Sequence, residues 1–343
     1  MRRRSRKCVR GLIPTKAIDL SKAHSVGDIV RQMSSSSFGA RSVGEAADIL
    51  YEMARDKDCF VVLTVSGAMT VAKMGLILCD MIDNGLVNAV VSTGAVITHG
   101  FIEATGKIHF KADPNVADEE LYRAGYDRVY DTLESERNFD DIALVIEGVL
   151  NGIDRGKTLS SVFINETLGK HLSDNVKGRN ILKSAYLKGV PVYVPAFTDS
   201  ELGLDVGVFN RRARARGERP FSFDPFLDLE HFTEIIAGQK RLGIFTVGGG
   251  VPRNWAQQVC PYLDIISNRL KAGMPVKKYL YGVRICHEPA HLGGLSGCTY
   301  QEGISWGKFT PASDGGRWSE VYADATIAWP LIVKAVLERM KRG

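Results

Sequence analysis

Short, uninterrupted runs of apolar and β-branched residues recur along this chain, and each run ends in glycine or other small residues. The run CFVVLTVSG spans 59–67, and the run LGIFTVGGG spans 242–250. Apolar runs of this length are typical of strands that are buried on both faces, as in a parallel sheet. A stretch of helical periodicity, MTVAKMGLILCDMIDNG, follows the first run. The sequence therefore predicts repeated βαβ units.

Further runs of the same kind continue the pattern. We predict strands over 88–93, within the segment PVYVPAFT (191–198), and near 281–286. The last of these precedes the glycine-rich loop HLGGLSGCTY. We found no domain boundary after residue 42 and no fixed-period repeat. The fold class predicted for 42–343 is thus α/β, a single Rossmann-like doubly wound domain with a mainly parallel sheet.

The first 41 residues show little periodicity and include four consecutive serines at 34–37. We predict that residues 1–41 form an extended N-terminal arm with a disordered basic start. A helix is predicted from Ser42, a suitable N-cap with Glu45 three residues later. The charged stretch 107–140 is expected to form exposed helices and loops.

Charge and cysteine usage exclude several classes of function. Of the net charge of +5, the first ten residues, MRRRSRKCVR, contribute six cations, so the remaining chain is nearly neutral and no nucleic-acid partner is predicted. No apolar run is long enough for a secretion signal or a membrane span, so we expect a cytoplasmic protein without a membrane partner. The six cysteines form no CxxC pair. His287 and His291 have HxxxH spacing, but Pro289 prevents the helix such a site needs, so no metal is predicted.

The predicted strand ends supply candidates for cofactor binding. In a doubly wound sheet the ligand lies beyond the carboxyl ends of the strands, where glycine permits close approach and helix N-termini bind phosphate. The candidates are Ser66, Gly67, Thr93, Gly94, Asp199, Gly248, Gly249, Gly250, Ala323 and Asp324. None of these segments matches GxGxxG. Glycine-rich strand ends also occur as plain tight turns, and an aspartate alone is more often a helix cap than a ligand, so both interpretations stay open.

The segment TYQEGISWGK, 299–308, brings a carboxylate, an indole and an amine together. A lysine held partly out of water loses its proton near neutral pH and becomes a nucleophile toward carbonyl or imine carbons. Most lysines are solvated, so this segment alone is a weak indication. It nevertheless makes Lys308, Glu302 and Trp306 the candidate catalytic residues.

Several segments together carry a family resemblance. STGA, PAFTDSELG, VGGGV, EGISWGK and VYADATIAWPLIV occur in this order, and the chain resembles the deoxyhypusine synthase family from about Ser34 onward. The resemblance implies a homotetramer that binds NAD and moves a 4-aminobutyl group from spermidine to an acceptor amine through a lysine imine. It implies that Lys308 is the nucleophile, that Trp306 lines the amine channel and that Glu302 is a carboxylate of that channel.

The chain departs from the family pattern where the substrate is expected. Leu292 and Leu295 stand at two usually acidic positions. Asn254 replaces a histidine, His99 replaces a glutamate, and a family acid is displaced to Asp205 or replaced by Leu204. The candidate substrate-binding residues are His99, Asp205, Asn254 and Ser296. Because carboxylates bind ammonium groups, their loss predicts a changed donor or acceptor amine.

The sequence leaves several functions open. The acceptor is either a protein lysine or a free amine such as putrescine, which would give homospermidine. A second class is an NAD-dependent amine dehydrogenase, in which Lys308 acts as a base and nothing is transferred. A third is a non-catalytic NAD- or polyamine-binding protein.

Overall fold

The computed structural model describes residues 12–342. The basic start that was predicted to be disordered lies outside this range. The strands are β1 (Cys59–Val65), β2 (Ala89–Ser92), β3 (Phe110–Lys111), β4 (Tyr126–Val129), β5 (Thr132–Ser135), β6 (Thr158–Leu159), β7 (Val192–Tyr193), β8 (Ser222–Phe223), β9 (Arg241–Val247), β10 (Tyr279–Ile285) and β11 (Arg317–Val321). The α-helices are α1 (Val26–Met33), α2 (Phe38–Arg55), α3 (Gly75–Asp83), α4 (Gly94–Ala104), α5 (Asp118–Arg123), α6 (Glu136–Asn151), α7 (Ser161–Asn175), α8 (Ile181–Lys188), α9 (Glu201–Ala215), α10 (Pro225–Ala237), α11 (Gly250–Leu270), α12 (Tyr300–Ser305) and α13 (Ala325–Arg342). Within the described range, no helix has the length and apolar character needed to cross a membrane.

A six-stranded sheet with the order β11-β10-β9-β1-β2-β7 forms the centre of the fold. All five strand pairs are parallel. Counted within this sheet alone, the order is 6-5-4-1-2-3, which is the Rossmann order. The prediction of an α/β fold with a mainly parallel sheet is therefore confirmed.

Both faces of the sheet are covered, because the strand residues alternate between two apolar clusters. Val61 and Leu63 of β1 pack in the cluster that contains α2 and α13. Val62, between them, packs in the second cluster with α11. Burial on both faces explains why β1 reads as a continuous apolar run.

The chain order along the sheet reverses between β1 and β9. These strands are in register to their last residues, where Val65 lies opposite Val247. The hydroxyl groups of Thr64 and Thr246 are 2.9 Å apart across the same pair. The residues after both strands thus emerge together at the switch point, where doubly wound folds bind ligands.

Two local expectations are corrected by the structure. Helix α2 begins at Phe38 rather than at Ser42, which lies inside it. Within the predicted arm, residues 26–33 form α1, whose Val30 is buried in the core and whose Gly27 N–H donates to Glu338 at 2.8 Å. Val26, Val30 and Met33, spaced four and three residues apart on one face of α1, pack against the core that contains α2 and α13, and this short helical pattern was not recognised in the sequence.

The stretch 107–140 also differs from its prediction. Besides α5, it forms an antiparallel sheet with the order β3-β5-β4. Its strands span 110–111, 126–129 and 132–135, which is too short to show an alternating pattern in the sequence.

Candidate active site

Lys308 is positioned by the C-terminus of α12. The N–H of Lys308 donates to the Gly303 carbonyl at 3.0 Å, and the N–H of Gly307 donates to the Ile304 carbonyl at 3.0 Å. This is the Schellman arrangement, and it requires the left-handed conformation that Gly307 adopts at φ 72°. The Lys308 carbonyl then accepts from the N–H of Tyr279 at 2.9 Å. The Trp-Gly-Lys sequence therefore turns the chain sharply and fixes the lysine backbone against β10.

The Lys308 side chain lines a cavity of about 290 Å³. Its walls come from the start of α11, the segment before α12, and α12 itself. The lining residues are Arg253, Asn254, Gln257, Gln258, Leu295, Cys298, Thr299, Glu302, Gly303, Trp306 and Lys308. Four of the residues singled out from the sequence, Lys308, Glu302, Trp306 and Asn254, are thus brought together here.

The amine of Lys308 is held and partly desolvated. Its Nζ donates to Asn254 Oδ1 at 2.9 Å and lies 6.0 Å from the centre of the Trp306 ring. Burial, followed by the positive charge of Arg253, lowers the pKa of Lys308 from its ordinary value of 10.5. Both effects favour the neutral amine, which is the form that attacks carbon.

Glu302 lies in the first turn of α12, at the rim of the cavity. Its backbone N–H donates to Thr299 Oγ1 at 3.1 Å, so Thr299 caps the helix. Its side chain is exposed and lies 3.6 Å from the thiol of Cys298. Burial and the Glu302 charge raise the pKa of that thiol. A carboxylate placed here can bind the ammonium group of an entering amine.

Two buried polar residues of the cavity wall are among those that were not singled out from the sequence. Arg253 and Gln257 lie one turn apart on α11, and they are 2% and 5% exposed. Arg253 Nη1 donates to the Cys298 carbonyl at 2.7 Å. The sequence could have indicated this, because Arg253 and Gln257 are four residues apart in the helix that follows the glycine turn and therefore lie on the same face as each other.

A second cavity, of about 140 Å³, lies at the carboxyl ends of β1 and β2. It is lined by Ser66, Ser92, Thr93, Gly94, Ala196, Asp199, Gly250, Val251 and Pro252. Five candidate cofactor-binding residues are among them. Gly67 lies beside it, because its carbonyl accepts from Thr93 Oγ1 at 2.7 Å. Helices α4 and α11 both begin here without a side-chain cap. Their free N–H groups suit a phosphate.

The glycine turn after β9 separates the two cavities. Gly249 N–H donates to Ser66 Oγ at 3.2 Å, and Gly248 packs against the same serine. A methyl group on Gly249 would lie 2.6 Å from Cα of Ser296. The residues that follow Gly249 line different cavities. Residues 250–252 line the smaller cavity, and Arg253 and Asn254 line the larger one. A ligand in the smaller cavity would therefore adjoin the space around Lys308.

The remaining candidates lie outside both cavities. Ala323 and Asp324 follow β11 at the sheet edge, and Asp324 Oδ1 accepts from the N–H and the hydroxyl of Thr326 at 2.7 and 2.9 Å. Its contacts are those of a helix cap. Asp205 lies on α9, where burial and Glu201 raise its pKa to about 6.

His99 lies in a buried polar cluster. Its Nδ1 is 3.3 Å from Glu134, and Nε2 of His109 is 2.6 Å from the same carboxylate. Asn138 donates to the other oxygen of Glu134 at 2.6 Å. Among residues 12–342, His99, His109 and Glu134 are the one set of three potential metal-ligating side chains whose ligand atoms all lie within 4.8 Å of one another. Their contacts tie α4 to the small antiparallel sheet.

Comparison with known proteins decides the family. The family model described as "Deoxyhypusine synthase" matches residues 28–336. The chain belongs to the deoxyhypusine synthase family. It is 35% identical over 306 residues to "Probable deoxyhypusine synthase 2" of Archaeoglobus fulgidus, covering 89% of this chain and 96% of that protein. It is 34% identical over 324 residues to "Deoxyhypusine synthase-like protein" of Chlorobaculum parvum, covering 93% and 88%.

A solved structure shares the fold of this family member. The crystal structure of a candidate deoxyhypusine synthase from Entamoeba histolytica aligns with a TM-score of 0.60 at 15% identity, covering 94% of this chain and 96% of that one. Members of the deoxyhypusine synthase family are transferases that move an aminobutyl group and generally depend on NAD. The chain is therefore a transferase of alkyl groups.

Proposed function

We propose that this protein transfers a 4-aminobutyl or related aminoalkyl group from spermidine or a similar amine to an acceptor amine, through an imine on Lys308. The observation that carries the proposal is the buried Lys308 amine, held by Asn254 in a cavity next to the glycine turn. An exposed lysine would be protonated and unable to attack.

The strand ends fit NAD as the cofactor. Two uncapped helix N-termini meet at the smaller cavity, whose wall includes Ser66, Thr93 and Gly250. Asp199 is exposed at its wall, where a carboxylate suits ribose hydroxyls. When bound, NAD would accept a hydride from the carbon beside the donor amine and later return it.

The chain's own residues perform the transfer. The neutral Lys308 amine forms a C–N bond to the imine carbon of the donor, and the bond to the departing amine breaks as that amine takes up a proton. Asn254 orients the attacking nitrogen, and Trp306 borders the path of the methylene chain. The acceptor amine then displaces Lys308 in the same way.

Borohydride trapping tests the covalent step. We expect protein incubated with NAD and spermidine to acquire a reduced aminobutyl adduct on Lys308, detected by peptide mass spectrometry. Lys308→Arg should abolish the adduct, whereas Lys278→Arg, at an exposed position, should retain it. No adduct with a panel of amines would contradict the covalent mechanism.

Product analysis distinguishes the acceptors. Transfer to putrescine indicates homospermidine formation, and transfer to a lysine-bearing protein indicates a deoxyhypusine-type reaction. Net NADH production without a transferred product would instead indicate an amine dehydrogenase.

We further propose a homotetramer, in line with the family resemblance. Trp306 borders the cavity yet is 64% exposed, so a neighbouring copy would complete this wall. Sedimentation equilibrium of the full chain gives the mass, and a monomer at micromolar concentration would contradict the assembly.

A further inference from the structure

A buried cation lies in the wall of the Lys308 cavity, and no acidic side chain among residues 12–342 forms an ion pair with it. Arg253 is 2% exposed, and within residues 12–342 it forms no ion pair with an acidic oxygen inside 4.0 Å. Its Nη1 bonds to a carbonyl, and its Nε donates to nothing in the described range. Arg284, which is equally buried, lies 3.4 Å from Glu320. The two arginines therefore differ in that Arg284 has an acidic partner.

A second donor on the same helix face lacks a partner as well. Gln257 is 5% exposed and lines the same cavity, and its Nε2 donates to no described residue. A buried guanidinium without a counter-charge is unfavourable, and an unmet amide donor adds to that cost. An anion bound in the cavity would supply the counter-charge that Arg253 lacks.

The other residues of the cavity wall do not offset the positive charge of Arg253. Lys308 and Arg253 are the basic residues of the cavity wall, and Glu302 at the rim is its acid. Leu295 lies in the wall where the family usually has an acid. A plain polyamine would bring further positive charge next to Arg253, so we expect it to bind more weakly than an amine that also carries a carboxylate.

We propose that the cavity binds an amine that also carries a carboxylate, with Arg253 and Gln257 as the carboxylate subsite and the amino group directed to Lys308. This refines the substrate class of the proposed function and rests on it for the chemistry. The binding preference itself is independent of turnover.

Matched ligands test the preference. Lysine is cadaverine with an added carboxylate, and ornithine is putrescine with the same addition. We expect calorimetry on the full-length protein with NADH, which prevents oxidation, to show the carboxylated member of each pair binding about tenfold tighter or more. Equal dissociation constants in the wild type would overturn the proposal.

Two variants attribute the preference to the subsite. Arg253→Met should bring the ratio of the two dissociation constants close to one. Gln257→Glu, which is nearly isosteric, should invert it by supplying a carboxylate beside the guanidinium. Arg269→Met, at an exposed position further along α11, should retain the wild-type ratio.

The same measurements distinguish a carboxylate subsite from a role for Arg253 in cofactor binding. If Arg253→Met weakens NAD binding and leaves the amine ratio unchanged, the guanidinium serves the cofactor phosphates and the proposal is overturned. If no amine gives a Lys308 adduct but the pairs still differ, the transfer function fails and the carboxylate subsite stands. Circular dichroism of each variant verifies folding, and Gln257→Glu remains informative if Arg253→Met does not fold.

Discussion

The side-chain amine of Lys308 lies 2.9 Å from the side-chain oxygen of Asn254. The two residues come from different parts of the fold. Asn254 lies in the first turns of α11, after β9, whereas Lys308 follows α12 and is fixed against β10. The amine of Lys308, the proposed nucleophile, is thus held by the same helix whose first residue borders the proposed cofactor cavity.

Removing this hydrogen bond should slow the covalent step. Asn254 Oδ1 orients the neutral amine for attack, and a hydrogen bond between neutral groups contributes roughly 0.5–1.5 kcal/mol. We expect Asn254→Leu to reduce the rate of Lys308 adduct formation by up to about tenfold. Rapid-quench trapping with borohydride measures this rate. Asn268→Leu, near the end of the same helix and outside the cavity, is the matched control, and an equal loss there would refute the assignment.

The pH dependence of adduct formation should report the lowered pKa of Lys308. Burial and Arg253 disfavour the ammonium form, so the neutral fraction grows at lower pH than for an ordinary lysine. The rate with spermidine should rise with pH, and the midpoint of the rise should lie below 10.5, the ordinary pKa of a lysine. Arg253→Met removes a neighbouring cation and should shift this rise to higher pH. A flat profile between about pH 7 and 10 in single-turnover experiments would contradict a nucleophilic Lys308.

Cys298 should react slowly with alkylating reagents, and its rate should depend on the charge of Glu302. Burial and Glu302 raise its pKa, so little thiolate is present at neutral pH. Glu302→Gln removes the negative charge and should accelerate alkylation of Cys298 by iodoacetamide severalfold. Peptide mass spectrometry follows this site separately from the other cysteines. The same substitution made distant from the site, Glu234→Gln, should change nothing, and an unaltered rate in Glu302→Gln would disprove the coupling.

Cofactor binding should be sensitive to one methyl group at the glycine turn. Gly249→Ala places a Cβ 2.6 Å from the backbone of Ser296, so the segment 295–297 must move. We expect the dissociation constant for NAD to rise at least tenfold in fluorescence titration. Gly148→Ala is the control, since nothing lies within 4 Å of its added methyl group and alanine favours helices. Undiminished NAD affinity in Gly249→Ala would place the cofactor elsewhere.

The sequence predicted the parts of the fold that are buried on both sides. Strands β1 and β9 appear as continuous apolar runs because both their faces pack against helices. Strand β11 was not predicted, since its sequence, RWSEV, places polar residues at the sheet edge. Strand β7 has two residues, Val192 and Tyr193, and was located through the small residues that follow it.

The candidate site was predicted where it follows a local pattern. The segment 299–308 contains Glu302, Trp306 and Lys308, and the Schellman turn at its end determines the relative positions of these side chains. The network of His99, His109 and Glu134 was not foreseen, because it joins residues 35 positions apart that no motif connects. Arg253 stands beside the glycine turn in the sequence, but its lack of a carboxylate partner among residues 12–342 is a property of the packing alone.

The exposure of Trp306 makes the cavity observable by emission spectroscopy. Of the four tryptophans, Trp329 is fully buried and Trp255 and Trp318 are partly buried, whereas Trp306 is 64% exposed. An indole in water emits at longer wavelength than one in an apolar setting. Covering of this ring, by a neighbouring copy in the proposed homotetramer or by a ligand, would shift the spectrum to the blue, and Trp306→Phe would remove the signal. The fold thus places an intrinsic optical probe 6.0 Å from the side-chain nitrogen of Lys308.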